Sequence, residues 1–260
     1  MRLISWNVNS IRARLPRVVE LLEQHRPDVV CIQETKVAAE AFPHEALAAV
    51  GYRAVEHSEG RWNGVALVVP DHLEVAGIQA GLPGEPDPAE ARWLEGTVGG
   101  VRIVSAYVPN GREPDHPMFV AKLRFLDAAR HRLDELVAAG PTVVAGDFNV
   151  ALEDRDVWDI AAFAGATHVT PDERSRLMDL LDLGLVDAFR AVRPDDEGFT
   201  WWDYRMGAFR RGMGMRIDYA LVSRHLDVHA VEVDTRFRRN NAEGDKPSDH
   251  APLVVELSTP

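Results

Sequence analysis

The chain has 260 residues, of which 46% are hydrophobic and 27% are charged, a composition typical of a globular protein rather than a disordered one. Lysine and arginine total 29 and aspartate and glutamate total 41, so the formal net charge is -12, which by itself argues against a polyanionic partner. No run of about 18 apolar residues is present, so we predict no transmembrane helix, and the single cysteine, Cys31, excludes an internal disulfide and fits a cytoplasmic location.

The first third of the chain is typical of a βαβ unit followed by further strands. We predict a strand at residues 3–8, a helix at 15–24, a strand at 29–33, a helix at 40–50 and strands at 52–56, 64–69 and 73–79. Because the string MRLISWNVNS begins directly as a strand, we expect no leader sequence. The setting of Cys31 in VVCIQE predicts a buried, unreactive thiol.

The rest of the chain continues to mix strands and helices. Residues 81–91, rich in Pro and Gly, predict a surface loop, and Gly99-Gly100 predicts a hairpin turn between two strands. The expected elements are strands at 93–98 and 101–107, a helix at 119–139, a strand at 142–145, a helix at 174–183, and strands at 217–222, 228–233 and 253–257. No linker divides the chain, so we predict a single α/β domain over residues 1–260, with two packed sheets and helices outside.

Short polar residues follow several apolar runs, where an α/β sheet places a ligand site. They are Asn7 after LISW, Glu34 after VVCIQ, Tyr107 in SAYVPNG, Asp147 and Asn149 in VVAGDFN, Asp218 in MRIDYALV, and Asp249-His250 in KPSDHAP. Each one alone can be a turn or helix-capping residue. All of them are oxygen donors or proton carriers, and turn formation alone does not explain why such residues recur at so many strand ends.

This residue set favours a hard divalent cation. Carboxylate and amide oxygens suit Mg²⁺, with Mn²⁺ as a substitute, and Glu34 is the leading ligand candidate. Zinc is disfavoured because Cys31 is alone and the histidines lack paired ligand spacing. Asp249 beside His250 suggests a carboxylate-oriented imidazole. Neighbours on a strand point apart, so Asp249 either reaches His250 through a curved loop or acts elsewhere in the site, and a plain loop is the alternative.

At this point the sequence resembles a known family along almost its whole length. The strings NVNSIRAR, IQETK, YVPNG, GDFNV, FTWWDYR, GMRIDYALVS and KPSDHAP, in this order, resemble bacterial exonuclease III and related apurinic/apyrimidinic endonucleases of the endonuclease/exonuclease/phosphatase superfamily. WWDYR followed by GMRIDY, and KPSDHAP, point to the exonuclease III branch. The resemblance implies a four-layered α/β sandwich.

The resemblance also implies roles for the polar residues. Glu34 would bind the metal with Asn7 beside it, and Asp147 would position and deprotonate the attacking water. Asn149 would hold a phosphate oxygen, and Tyr107 would hydrogen-bond the phosphate. His250, paired with Asp249, would contact the scissile phosphate, and Asp218 would orient the residues that contact the substrate. The groups expected around the metal are Asn7, Glu34, Asp147, Asn149, Asp249 and His250. An aspartate of ordinary pKa is a poor base at neutral pH, so the choice between Asp147 and His250 as base stays open.

An aromatic cluster lies in the string FTWWDYR. Such clusters are commonly core, but the resemblance implies that Trp201 lies against a pocket for a flipped-out abasic sugar, with Met215 and Ile217 on its other side. Met215 stands where some relatives carry Trp, and Asn110 stands where exonuclease III types commonly carry Gln.

These observations predict a Mg²⁺-dependent DNA repair phosphodiesterase that acts on double-stranded DNA. It would cut 5′ to abasic sites, degrade 3′ ends and remove 3′ blocking groups, as a cytoplasmic monomer without membrane contact. Two alternatives stay open: a phosphodiesterase for another nucleic acid or a phosphoinositide, and a catalytically inactive nucleic-acid-binding module.

The acidic total is unevenly distributed along the chain. Residues 37–100 carry 3 basic and 10 acidic groups and residues 147–199 carry 5 and 13, whereas residues 1–36 carry 6 and 4 and residues 200–217 carry 4 and 1. We therefore predict a local basic DNA-facing surface that makes few phosphate contacts. Its expected members are Arg12, Arg14, Arg17, Arg205, Arg210, Arg211 and Arg216, joined by Arg236, Arg238, Arg239 and Lys246. The alternative is that these cations form an ordinary solvated face.

Overall fold

Two six-stranded β-sheets form the centre of the fold. The computed structural model describes residues 1–259. The strands in that range are β1 Arg2–Asn7, β2 Val29–Gln33, β3 Tyr52–His57, β4 Val65–Pro70, β5 Ala76–Ala80, β6 Trp93–Val98, β7 Val101–Tyr107, β8 Thr142–Asp147, β9 Leu185–Asp187, β10 Trp201–Trp202, β11 Gly214–Met215, β12 Asp218–Ser223, β13 Val228–Val233 and β14 Leu253–Leu257. The α-helices are α1 Leu15–His25, α2 His44–Ala48, α3 Pro117–Ala139, α4 Pro171–Leu181 and α5 Ala188–Val192.

Both sheets are mixed, as predicted. The first has the order β13-β14-β1-β2-β4-β3 and the second β5-β6-β7-β8-β12-β9. β1 pairs parallel with β2 and β7 pairs parallel with β8, while the other pairings in the two sheets are antiparallel. A small hairpin of β10 and β11 stands beside them.

The alternation of side chains along the strands produces four layers. In β1, Leu3 packs in the core between the sheets, whereas Ile4 packs on the other face with Leu21 and Leu22 of α1. In the second sheet, Val143 faces the first sheet and Val144 packs with residues of α3 and α4. The order helices, sheet, sheet, helices confirms the predicted α/β sandwich.

Several local predictions are corrected by the structure. The helix predicted at 40–50 is a short turn, Ala39–Ala41, followed by α2, because Pro43 has no amide hydrogen to continue one helix through. The strand predicted from residue 73 begins at Ala76, because Leu73 closes a turn by donating its N–H to the carbonyl of Pro70. The Gly99-Gly100 hairpin is confirmed: both glycines have positive φ, +56° and +82°, which suits the primed turn that joins twisted strands.

The topology brings several strand ends together. The carboxyl ends of the parallel pair β1 and β2 carry Asn7 and the following Glu34, and those of β7 and β8 carry Tyr107 and Asp147. Antiparallel β12 starts at the same end of its sheet, where Asp218 is paired with Asp147. One end of the two packed sheets therefore collects the polar residues that the sequence places after separate apolar runs.

Candidate active site

Asn7, Glu34 and Asp147 form the floor of the site. The Asn7 amide nitrogen donates to Glu34 Oε1 at 2.8 Å and to Asp147 Oδ2 at 3.0 Å, although 140 residues separate Asn7 from Asp147. Both Asn7 and Asp147 are buried, and Glu34 is half-buried with φ +54° at the end of its strand. One amide thus holds two carboxylates side by side.

Asp147 has the environment that a general base requires. Burial raises the pKa of its carboxyl group to about 7, with the charges of Asp218 and Glu34 adding to the rise and nearby His250 opposing it. The other carboxylate oxygen, Oδ1, accepts the backbone N–H of Asn149 at 2.9 Å. The surroundings of Asp147 therefore provide the raised pKa that an aspartate needs to act as a base near neutral pH.

His250 is oriented by Asp218, not by its sequence neighbour. Its Nδ1 lies 2.8 Å from Asp218 Oδ2, and its Nε2 lies 3.7 Å from Asp147 Oδ2. Burial lowers the pKa of His250, but Asp218 and the other carboxylates outweigh this and raise it to about 10, so the ring carries a proton at neutral pH.

The expected pairing of Asp249 with His250 is wrong. Asp249 Oδ1 accepts from the side chain of Asn9 at 3.0 Å, and its Oδ2 accepts from Trp201 Nε1 at 3.1 Å. Adjacent residues point apart here as they do on a strand, so Asp249 acts elsewhere in the site, which was the other reading of the sequence.

Asn149 and Tyr107 complete the polar wall. The Asn149 amide donates to the carbonyl of Val108 at 3.0 Å and accepts from the Asn110 amide at 3.0 Å. Tyr107 is 8% exposed and lies under the guanidinium of Arg92, which is 4.7 Å from the ring centre. Burial and the charge of Glu34 raise the pKa of the Tyr107 hydroxyl, so it remains a proton donor.

Six of these residues line one cavity of about 290 Å³: Glu34, Tyr107, Asp147, Asn149, Asp249 and His250. Trp201, Met215 and Ile217 line it together with the polar residues, as the resemblance implies. Trp201 pairs with Met215 across the small hairpin and bridges to His250, so the aromatic residue is tied to the polar wall. His168 also lines the cavity, and no pattern in the sequence points to it.

Glu34, Asp147 and His250 are the candidate metal-binding group. One ligand atom from each lies within 4.8 Å of the others. Lys36 Nζ lies 2.5 Å from Glu34 Oε2 and is the cation beside this carboxylate. With Asp218 also buried next to Asp147, several carboxylates are concentrated here beside the cations Lys36 and His250, so the donor set fits a hard divalent cation.

The expected basic surface needs correction. Arg216 is 1% exposed and does not face DNA, because its guanidinium is used up in ion pairs with Asp156 at 2.8 Å and Asp187 at 2.6 Å. Arg17 and Arg238 are likewise buried, at 2% and 7% exposure. The exposed cations among those expected are Arg12, Arg205, Arg210, Arg211, Arg236, Arg239 and Lys246.

Half-buried Arg14 links part of this surface. Its guanidinium donates to the hydroxyl of Tyr204 at 2.7 Å, and that hydroxyl donates to the carbonyl of Pro247 at 3.0 Å. Three segments distant in sequence therefore meet next to Arg205 and Lys246. Within residues 1–259 we find no helix with the length and apolarity to cross a bilayer.

The arrangement can hydrolyse a phosphate ester. It combines a carboxylate of near-neutral pKa, a protonated imidazole, a phenol, an amide and oxygen donors for a cation. These groups can activate water, neutralise phosphate charge and stabilise a leaving oxygen.

Several known proteins that resemble this chain in sequence and fold are described as nucleases. Exodeoxyribonuclease III of Haemophilus influenzae is 34% identical over 99% of this chain and 100% of its own length. The structure of a 3′-5′ exonuclease (NExo) from Neisseria meningitidis matches with a TM-score of 0.94 and 37% identity, covering 100% of both chains, and NExo is also known with a product DNA hairpin. The structure of an AP endonuclease from Archaeoglobus fulgidus matches with a TM-score of 0.93 and 33% identity, covering 100% of both chains.

The Endonuclease/Exonuclease/phosphatase family matches residues 4–250. These similarities confirm the predicted resemblance and its enzymatic character. The chain belongs to the Endonuclease/Exonuclease/phosphatase family, in the branch of the exodeoxyribonuclease III and AP endonucleases.

Proposed function

We propose that this DNA repair nuclease uses Mg²⁺ to hydrolyse phosphodiester bonds in duplex DNA, cutting 5′ to abasic sites and removing nucleotides or blocking groups from 3′ ends. The observation that carries the proposal is the buried Asp147, held by Asn7 beside Glu34 and facing His250 in one cavity. Its relatives include a 3′-5′ exonuclease and an AP endonuclease.

In this proposal Asp147 takes the proton of the attacking water. The raised pKa of its carboxyl group supports the assignment, because a base works best when its pKa is near the working pH. His250 keeps its proton at neutral pH and so serves as a cationic donor to the scissile phosphate, not as the base. Asp218 orients it through Nδ1.

Asn149 and Tyr107 bind phosphate oxygens. One of the two Asn149 amide hydrogens is used by the carbonyl of Val108, which leaves the second for the substrate. The Tyr107 phenol remains protonated and can donate to charge that develops in the transition state.

Glu34 would hold the divalent cation, with Asn7 and Asp147 beside it. We propose Mg²⁺, with Mn²⁺ able to replace it, since both prefer oxygen ligands and keep open positions for phosphate. When bound, the cation would neutralise phosphate charge and stabilise the leaving oxygen.

The cavity wall supports recognition of a sugar that lacks its base. Trp201, Met215 and Ile217 provide an apolar face, and His168 bounds the same space. An abasic nucleotide has lost a base's stacking energy, so it leaves the duplex at lower cost than an intact one. A 3′ terminal nucleotide also reaches the site without disruption of a continuous strand.

We also propose that the protein acts as a cytoplasmic monomer. The lone, buried Cys31, whose thiol pKa is raised by burial, fits a reducing compartment. Light scattering at micromolar concentration should give a mass near 28.9 kDa, and a dimer mass would contradict the monomer. Cell fractionation followed by an activity assay checks the compartment.

The proposed activity is tested on matched duplexes carrying an internal abasic site, a 3′-phosphate end or neither. With Mg²⁺ we expect nicking of the first, 3′-end removal on the second and slow degradation of the third. Asp147→Asn should abolish all three activities, whereas the exposed control Asp227→Asn should keep them. If the enzyme removes 3′ ends but leaves the abasic duplex intact, the endonuclease part of the proposal is contradicted.

The alternative substrates are tested with the same protein. Preferred hydrolysis of RNA or a soluble phosphoinositide over every duplex would favour another branch of the superfamily. Binding of DNA with no turnover under any divalent cation would favour an inactive module.

A further inference from the structure

Lys122 is a buried cation that the proposed chemistry does not use. It lies on the inner face of α3 with 0% exposure. Its ammonium donates to the backbone carbonyl of Asn149 at 2.6 Å and to that of Asn110 at 3.3 Å. It also forms an ion pair with Glu173 of α4, which is fully buried as well. A lysine without solvent and with backbone carbonyls as partners is unusual for a packing role alone.

Glu173 extends this contact to a third segment, the residues just before α4. Its Oε1 accepts the hydroxyl of Thr167 at 2.7 Å and the backbone N–H of His168 at 2.9 Å. Its Oε2 accepts the hydroxyl of Thr170 at 2.7 Å, which fixes the start of α4. The ion pair therefore ties the loop that follows β7 to both ends of the connection between β8 and α4.

Each of the three tied segments supplies a side chain to the catalytic cavity, namely Asn110, Asn149 and His168. Asn149 has φ +53°, a left-handed conformation that costs energy for a residue with a side chain. Its carbonyl is contacted by both Lys122 Nζ and His168 Nδ1. These two buried contacts hold the Asn149 peptide in the conformation that directs its amide toward Asn110 and the cavity.

We propose that Lys122 is a positioning residue for phosphodiester hydrolysis, holding Asn149 and its loop in the geometry that binds the phosphate, with Glu173 as its fixed counter-ion. The inference rests on the proposed role of Asn149 at the phosphate. Lys122 does not touch the substrate, and its effect passes through the Asn149 carbonyl. If Lys122 had only a structural role, a variant that fills the same buried volume and leaves no unpaired charge would keep full activity.

The test separates positioning from stability by removing the charge pair in steps. Lys122→Met leaves the Glu173 carboxylate buried without its cation and should lower both the Tm and kcat. The double variant Lys122→Met/Glu173→Gln leaves no unpaired charge and should recover most of the Tm. We expect its kcat to remain at least 30-fold below wild type, on the order of the loss from one preorganised contact, with KM changed less than threefold.

A second cycle asks whether Lys122 acts through Asn149. In wild type, Asn149→Ala should lower kcat by about 100-fold. In the double variant, the same substitution should lower kcat by less than fivefold, because the amide is already misplaced. A double variant with kcat within threefold of wild type, or losses that multiply fully, would overturn the proposal.

Wild-type cleavage of the 3′-phosphate and abasic duplexes is the reference for both cycles. If wild type turns over neither duplex, the proposed function fails. If wild type is active and the double variant matches it, only the role of Lys122 fails. Should Lys122→Met not fold, the double variant carries both comparisons by itself.

Discussion

The substitution Asp218→Asn tests the assignment of His250 most sharply. The two side chains are 1% and 4% exposed, and their contact is 2.8 Å long. The Coulomb energy of two unit charges at that distance is about 6 kcal/mol for an effective dielectric constant of about 20, and breaking such a buried pair costs about 3–5 kcal/mol. If most of that loss falls on the transition state, kcat drops about 10²- to 10³-fold, since about 1.4 kcal/mol is a factor of ten.

The assay is single-turnover cleavage of a 3′-phosphate duplex with saturating enzyme, which isolates the chemical step. Asp249→Asn provides the comparison: Asp249 faces Asn9 and Trp201, so its removal should cost much less in the chemical step. Asp227→Asn, at an exposed position before β13, is the matched control. A rate for Asp218→Asn within threefold of the control, or a larger loss for Asp249→Asn, would refute the assigned pairing.

Three further expectations concern binding and stability. Arg205→Ala should weaken duplex binding without lowering the Tm, because the residue is exposed. Arg216→Met should lower the Tm, because it removes the only ion pair that Asp187 forms within residues 1–259 and leaves Asp156 with Arg190 alone. Equal effects of the two substitutions on affinity, measured by fluorescence anisotropy, would contradict the corrected surface. The dependence of log affinity on log salt should correspond to fewer than about eight phosphate contacts, a slope shallower than about -7, and a steeper slope would mean a larger interface. Asp234 is buried, and hydrogen bonds from Arg236 and His25 lower the pKa of its carboxyl group although burial alone would raise it. The carboxylate therefore stabilises the fold above the unfolded aspartate pKa of about 4, and this contribution is lost as pH falls. Asp234→Asn should lower the free energy of unfolding in urea by about 2 kcal/mol at pH 7 and by less at pH 3, and an equal loss at both pH values would refute this expectation.

The sequence predicted the fold and the site through one regular feature: apolar strand segments, separated by helices and turns, that end in polar residues. Asn7, Tyr107 and Asp147 end strands of the two parallel pairs and Glu34 directly follows one, so local patterns placed all four at one end of the packed sheets. The short pieces were not predictable in this way. β10 and β11 have two residues each, and their pairing depends on the contacts of Trp201 with Met215 and His250.

What the sequence could not supply was the partner of each charge. Arg216 follows a conspicuous aromatic motif but pairs with Asp156 and Asp187, which are 60 and 29 residues away. Asp218 faces His250 across 32 residues, so the neighbouring Asp249 was the more obvious choice in the sequence. Such pairings are set by the tertiary packing of distant segments rather than by local spacing.

One missed residue left a trace in the sequence. Lys122 lies at helical spacing with Phe119, Phe125 and Leu126, so it is a charged residue on the apolar stripe of α3. Such a position predicts a buried cation with a specific partner. For His168 no comparable pattern exists, since it stands in a loop.

The most direct test of the central claim is the chemical nature of the product ends on an internally abasic duplex, with Mg²⁺ and with EDTA. With Mg²⁺ we predict a nick that leaves a 3′-hydroxyl and a 5′-deoxyribose phosphate, and with EDTA no cleavage. Cleavage that survives EDTA, or a product with an unsaturated aldehyde at the 3′ end, would contradict cation-assisted hydrolysis at the Asp147 site.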